Sequence, residues 1–500
     1  MLFLGIDLGT SSVKVSVVDG TTHQCLASAH YPEGEADIIA PRPGWAEQSP
    51  DLWWEYTIQA ILKCHSSKAY QPNDIAAIGI AYQMHGLVLV DKEQTVLRNA
   101  IIWCDSRALP YGDAAFDSIG EQRCLSHLLN APGNFTASKL AWVKENEPEV
   151  YDRIHKILLP GDFLAMKLTG ATTTTISALS EGIFWDFKQH CISDDILGYF
   201  GFSSYIIPDI HPLFAPHGGV NEQVAARLSL RPGIPVTYKA GDQPNNAFSL
   251  NVLNPGEVAA TAGTSGVIYS VSDQLSYDPL SRINSFAHVN HTENENRIGV
   301  LLCINGVGIF NRWIRNNTGA HHSYESLNAE AAQVPAGSNG LMMLPFGNGA
   351  ERMLGNRMTG AHIHGLDFNV HHTGHLVRAA QESIAFAFRY GLDIKRENGI
   401  DPGIIRAGMA NMFLSDVFVQ SFVNTTGVPV ELYQTDGSIG AALGAGVGAG
   451  FYNSPSAAFS KRKPVAFIEP DKQQSYQSLY EDWKQLLQMQ LQEQSVVKPI

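Results

Sequence analysis

The sequence has no cysteine framework, little charge and no long apolar run. Its six cysteines, at 25, 64, 104, 124, 191 and 303, include no CxxC pair. That argues against a disulfide scaffold or a cysteine zinc site, and for free, mostly buried thiols in a reducing cytoplasm. Charged residues are 16% of the 500, against 44% hydrophobic, which excludes a disordered chain. Cationic charge is the scarcer sign: 34 Lys and Arg stand against 48 Asp and Glu, a net charge of −14. This balance argues against a nucleic-acid or anionic-membrane surface. No apolar stretch is long enough to span a bilayer. MLFLGIDLGT opens directly as strand and turn, so no secretory leader is expected. His362, His364, His371, His372 and His375 cluster without HExxH spacing or an accompanying Cys, and read as a solvated loop. The alternating glycines of 444–450 follow no strand and do not form GxGxxG.

What the chain does contain is a repeat. Residues 9–19 read GTSSVKVSVVD and residues 263–273 read GTSGVIYSVSD, identical at seven of eleven positions with an offset of 254. Each copy follows an apolar run, LFLGID or EVAATA, so each reads as strand, tight turn, strand. Gly9 and Gly263 are expected to permit the turn through their conformational freedom. Thr10, Ser11, Thr264 and Ser265 offer hydroxyls and backbone N–H groups to an anion. Two such hairpins facing each other suit a polyphosphate.

The repeat divides the chain into halves, 1–248 and 249–500. In the first, 50–65 reads as a helix opened by Ser49-Pro50-Asp51, 74–83 as a buried strand, and 231–243 as a strand ending in a turn. A helix over NAFSLNVLNPGE then crosses to the second half. There, 297–306 and 403–408 read as strands, and 376–396 as a helix. Segment 437–450 reads as a small-residue helix packed close to another backbone, and 471–492 as a terminal amphipathic packing helix.

Several residues carry two readings. Asp7, just before the first turn, suits Mg²⁺ or a simple turn cap. Lys14 faces phosphate or solvent. Asp242, in KAGDQ, is a general base at a cleft or an ordinary helix cap. Gln83, Met84 and His85 lie between apolar runs and need partners, which either a polyhydroxylated ligand or the core supplies. Trp103 and Asp105, with Arg107, suit a sugar contact or a buried Trp beside an ion pair.

Taken together, these segments resemble the FGGY family of carbohydrate kinases, in the actin–hexokinase ATPase superfamily, from Leu2 to about Gly450. GIDLGTSSVK and TAGTSG are similar to the family's two phosphate motifs. GWAEQSPDLWW (44–54), QMHG (83–86) and WCDSR (103–107) are most similar to segments of its xylulose kinases. The resemblance implies an α/β fold of two ribonuclease-H-like domains flanking a central cleft. It implies ATP and Mg²⁺ as co-substrate and cofactor, and transfer of phosphate to a ketopentose, D-xylulose at O5. It makes Asp242 the base, and puts the sugar on Gln83, Met84, His85, Trp103, Asp105 and Asp242. The phosphates fall to Gly9, Thr10, Ser11, Lys14, Gly263, Thr264 and Ser265, the nucleotide to Gly306, Gly408 and Asn411, and the metal to Asp7. A homodimer is usual in the family. The alternatives are another acceptor (L-xylulose, ribulose, gluconate) or a non-catalytic sensor of the same fold. The sequence departs from the family at Ala407-Gly408-Met409-Ala410-Asn411, where two glycines are missing, and Met409 is expected to cover the adenine. Ala350 also interrupts the Gly-Glu-Arg-like loop over 344–356.

Overall fold

The computed structural model describes residues 1–318, 321–471 and 476–496. Two mixed sheets organise the chain. The first runs Val236–Gly241, Ile75–Tyr82, Leu2–Leu8, Val13–Asp19, Cys25–Tyr31, with the last three antiparallel and the first two parallel to Leu2–Leu8. The second runs Asn284–Ala287, Ile298–Ile304, Gly266–Ser272, Glu257–Ala262, Ile404–Gly408, Val430–Tyr433, Ala466–Ile468. Its five inner strands repeat the order and directions of the first sheet. The duplicated hairpin is thus the visible part of a duplicated topology. The inner strands are apolar on both faces because helices cover both sides of each sheet, as for Leu2–Leu8 and Ile75–Tyr82, buried except at Asp7 and Ala76.

The expected helix at 50–65 forms as Pro50–His65, with the Ser49 side chain accepting from the Leu52 N–H. The crossing helix begins earlier than the sequence suggests, as Asp242–Ser249, because Gly241 ends the strand. The long helix spans Thr373–Glu397. The terminal helix spans Gln477–Val496, and residues 472–475 of its expected range lie outside the described residues. It packs through Tyr480, Trp483 and Leu487, with Trp483 Nε1 donating to the Met343 carbonyl at 2.8 Å.

The small-residue helix, Gly437–Gly448, belongs to the second half in sequence yet lies on the first sheet. A Cβ on Gly5 would fall 1.9 Å from the Ser438 carbonyl oxygen, and one on Gly79 2.0 Å from that of Ala441. Only glycine on the sheet admits a helix backbone that close. Thr237 Oγ1 donates to the Ala445 carbonyl (2.8 Å), and Asn245 Nδ2, from the crossing helix, to that of Gly437 (2.9 Å). The two helices that follow the fifth strand of each half therefore meet between the sheets and form the floor of the cleft.

Three expectations need correction. Gly9 and Gly263 do not have positive φ, so the turns do not use a glycine-only conformation. Instead the Gly9 N–H closes a tight turn onto the Ser12 carbonyl (3.0 Å). Only Cys64 and Cys124 are buried, while Cys25 and Cys104 are exposed, because both of the latter sit where chain enters or leaves a sheet edge or loop. The histidines of 362–375 are not all solvated: His375 is buried and meets the His372 ring edge to face at 4.3 Å, because it lies in the first turn of the long helix.

Candidate active site

Strand ends deliver the charged residues. Asp7 lies near the end of Leu2–Leu8, and Asp242 opens the helix that follows Val236–Gly241. Asp436 caps the small-residue helix that follows Val430–Tyr433. Asp436 is the second-half counterpart of Asp242, and the sequence reading missed it. The available signal was YKAGD in one half against YQTD in the other: a strand-end Tyr, then an Asp opening a helix.

The three carboxylates act on one another. Asp7 is pushed up to about 6 by burial and by the Asp436 charge, against the pull of Lys14. Asp242 is pushed up to about 7 by burial and by the Asp7 charge. Asp436 is raised by burial but held below the usual range by the Lys14 ammonium, Ser438 and the Ile439 N–H. Lys14 Nζ sits 2.6 Å from Asp436 Oδ2, so its charge is engaged by a carboxylate. Gly437 is required here: a Cβ would fall 2.1 Å from Asp7 Oδ2.

Both hairpins border this group. Thr10 is held in place: its hydroxyl donates to Gln83 Oε1 (3.2 Å) and accepts from Trp103 Nε1 (2.9 Å). Ser11 and Thr264 are exposed. The second turn is braced from behind, as the Gly308 and Ile309 N–H groups donate to the Gly263 and Thr264 carbonyls. No group of three or more His, Cys, Asp or Glu poised for a metal occurs among the described residues. The fit for Mg²⁺ is of the other kind, one or two carboxylates with phosphate oxygens and water. Asp7, raised by burial and Asp436, and Asp242, raised by burial and Asp7, form no ion pair among the described residues and suit that role.

On the first-domain wall, His85 has φ 61°, a strained value for a non-glycine residue, of order 1–3 kcal/mol. Its Nδ1 bonds the Glu181 carbonyl at 2.9 Å, which fixes Nδ1 as the protonated nitrogen and leaves Nε2 as an acceptor. Burial and the nearby Lys139 ammonium push its pKa down to about 3, so the ring is neutral at physiological pH. Lys139, itself lowered to about 7 by burial, holds the His85 carbonyl at 2.8 Å. Met84 is buried beside it, and Trp103 is 52% exposed. Gln83 is buried and tied to Gln48 Oε1 (3.0 Å) as well as to Thr10, so it fixes the hairpin and the wall together.

Asp105 departs from expectation. It is fully buried, accepts from the Ala46 N–H (2.6 Å) and forms a two-point pair with Arg107. Arg107 lies over the Trp45 ring at 3.7 Å. Both carboxylate oxygens are committed to the protein, so Asp105 organises the loop carrying Trp103 and has no lone pair directed at a sugar.

On the second domain a cavity of about 390 Å³ opens beside Gly263 and Thr264, lined by Arg312, Tyr324, Asn328, Gln381, Asn411 and Met412 among others. Asn411 adopts φ 54° and presents its amide next to Gly263. Arg312, Tyr324, Asn328 and Gln381 come from three helices and carry no common motif, which is why sequence reading missed them. Gly306 is a packing glycine: a Cβ there would meet the Pro345 carbonyl at 1.7 Å. Gly408 and Met409 do not line the cavity. Met409 is 42% exposed with its N–H on the Tyr433 carbonyl, because the sheet pairing continues through it and turns its side chain out. Met412 and Leu414 are the apolar side chains that line the cavity instead.

Residues 2–249 match the N-terminal domain, and 258–449 the C-terminal domain, of the FGGY family of carbohydrate kinases. The xylulose kinase of Bacillus subtilis is 29% identical over 498 residues, covering 97% of this chain and 96% of the relative. A solved xyloylose kinase from Brucella ovis is 26% identical with a TM-score of 0.87, covering 97% and 98%. A gluconate kinase from Lactobacillus acidophilus, 20% identical, shares the fold with a TM-score of 0.88 over 98% of both chains.

Proposed function

Because this chain belongs to the FGGY family of carbohydrate kinases, we propose that it phosphorylates a ketopentose, D-xylulose at O5. It is a carbohydrate kinase, and ATP is the co-substrate its family implies. The observation that carries the finer reading is Asp242. It is a carboxylate at the first turn of a helix on the cleft floor, between two phosphate-type hairpins, with its pKa raised to about 7. A base with that pKa accepts the proton of an attacking hydroxyl near neutral pH. In this reading the freed oxygen attacks the γ-phosphorus in line. Backbone N–H groups of both turns, with the Ser11, Thr264 and Ser265 hydroxyls, receive the charge on the equatorial oxygens. His85 Nε2 accepts from a sugar hydroxyl, and Met84 and Trp103 flank the carbon chain. The adenosine occupies the cavity of Arg312, Tyr324 and Asn411. Mg²⁺ held at Asp7, with Asp242 near it, would neutralise phosphate charge.

The test is ADP release, measured by a coupled assay over pentuloses, hexuloses, alditols and aldonates. The reading expects D-xylulose to give the highest kcat/KM. A clear preference for an acceptor without a ketone overturns the substrate assignment.

A further inference from the structure

Arg352 is a half-buried cation with no carboxylate partner among the described residues. Arg352 follows Glu351, whose buried carboxylate is spent on the Asn305 N–H (3.0 Å). Arg352 itself is half-buried, and its one protein hydrogen bond is a long contact of Nη1 with the Ser281 carbonyl, 3.5 Å. Among the described residues no Asp or Glu pairs with it, in contrast to Arg282, Arg378 and Arg406 of the same domain. Burial accordingly weakens its hold on its proton, with only the Cys303 thiol opposing. The guanidinium bears on two groups at once: the His85 imidazole of the first domain and Cys303 of the second. Asn305, whose N–H donates to Glu351, follows the strand Ile298–Ile304, and Ile304 pairs with Gly266 at the second hairpin, so Glu351 and Arg352 stand at the hairpin end of that sheet. The second domain reaches the same place through Phe286, whose ring lies 5.3 Å from that of His85.

A partly desolvated guanidinium without a carboxylate is unfavourable unless a ligand supplies the oxygens. Its planar fork matches a carboxylate, a phosphate or a carbonyl flanked by hydroxyls, and does little for an isolated alcohol. We propose that Arg352 is a specificity-determining residue that binds the carbonyl or carboxylate end of the acceptor, opposite the hydroxyl that Asp242 serves. This rests on the kinase reading above and extends it. The acceptors it selects are ketoses and aldonates, whose shared feature is a trigonal oxygen-bearing carbon, and alditols are selected against. Because Arg352 comes from the second domain and His85 from the first, the contact also reports that the two domains grip the acceptor together.

The experiment compares D-xylulose, D-xylonate and xylitol as acceptors for the wild-type chain and for Arg352→Gln and Arg352→Lys. The expected result is a loss of ~10–100-fold in kcat/KM for the ketose or aldonate in Arg352→Gln, carried mainly by KM, with the alditol rate unchanged. Arg352→Lys should recover part of the ketose activity and less of the aldonate activity, since it cannot make the two-point contact. Equal losses with all three acceptors, carried by kcat, would assign Arg352 to the transferring phosphoryl group and overturn the proposal. Xylitol matching D-xylulose in the wild type would also overturn it while leaving the kinase reading intact. Turnover of D-xylonate without D-xylulose would remove the ketopentose assignment and support Arg352. If no acceptor releases ADP, the kinase assignment to these acceptors fails. Arg352 is then read by the thermal shift that D-xylonate gives the wild type: a shift abolished in Arg352→Gln supports the proposal, and its retention or absence sinks it.

Discussion

Asp7 and Asp242 are two carboxyls held where neither is comfortable as an anion. Both have native pKa values, about 6 and about 7, above the 3.8 of an unperturbed Asp. Two consequences follow in opposite directions. As a base, Asp242 works only when ionised, so kcat/KM should fall about tenfold per pH unit below about pH 7. A profile flat from roughly pH 5 to 8 would remove Asp242 from the role. For stability, a raised native pKa means that the unfolded chain loses the proton first as pH rises. The contribution of each carboxyl is therefore complete below about pH 4 and lost as pH climbs through 6 to 7. Asp242→Asn should cut turnover by ~10²–10⁴. The same variant should melt ~2–4 °C higher than wild type at pH 8, with no such gain at pH 4. A variant that turns over normally, or melts lower at pH 8, contradicts this account of the site. The strand-end positions of Asp7 and Asp242 were legible in their short motifs, whereas the reading of Asp242 as a base came only with the family resemblance. The inward turn of Asp105 was not legible, because WCDSR reads the same whether its carboxylate faces a ligand or Arg107.

Among the elements, the decisive one is the helix Gly437–Gly448. Its run of small residues announced a close approach, but not the partner, which lies more than 350 residues earlier in the chain at Gly5 and Gly79. Local pattern reports what a helix face tolerates, and only the tertiary fold decides what meets it. The approach is backbone to backbone, so Gly79→Ala has no flexible side chain to displace: its methyl carbon would sit 2.0 Å from the Ala441 carbonyl oxygen. Overpacking of this kind typically costs ~1–3 kcal/mol. The expected outcome is a lowered melting temperature together with a raised KM for both substrates, since the helix carries Asp436 and Gly437 beside Asp7. An unchanged melting temperature would mean that the two halves are not locked through this helix. The loop at 407–411 carries the complementary lesson. Its missing glycines looked like a threat to the nucleotide, yet strand pairing turns Met409 outward and Met412 lines the cavity instead.

At the scale of the whole molecule, a duplicated five-strand topology encloses one cleft, and each half contributes a phosphate hairpin and a strand-end aspartate to it. The repeat of 9–19 in 263–273 was enough to divide the chain into two like halves, since the same hairpin fixes the same position in each sheet, while the domain fold came with the family resemblance. The cavity beside Gly263 and Thr264 stayed hidden because its side chains converge from elements far apart in sequence. The asymmetry between the halves accounts for the division of labour: Asp242 is left with a raised pKa, while its counterpart Asp436 is neutralised by Lys14. The central claim is that the base Asp242 delivers phosphate to the terminal oxygen of a ketopentose. Its most direct test is phosphorus and carbon NMR of the mixture after ATP, Mg²⁺ and D-xylulose are incubated with the wild-type chain and with Asp242→Asn. The account predicts D-xylulose 5-phosphate and ADP in equal amounts with the wild type, and neither above background with the variant. ADP accompanied by inorganic phosphate without a sugar ester, or an ester at another carbon, would contradict it.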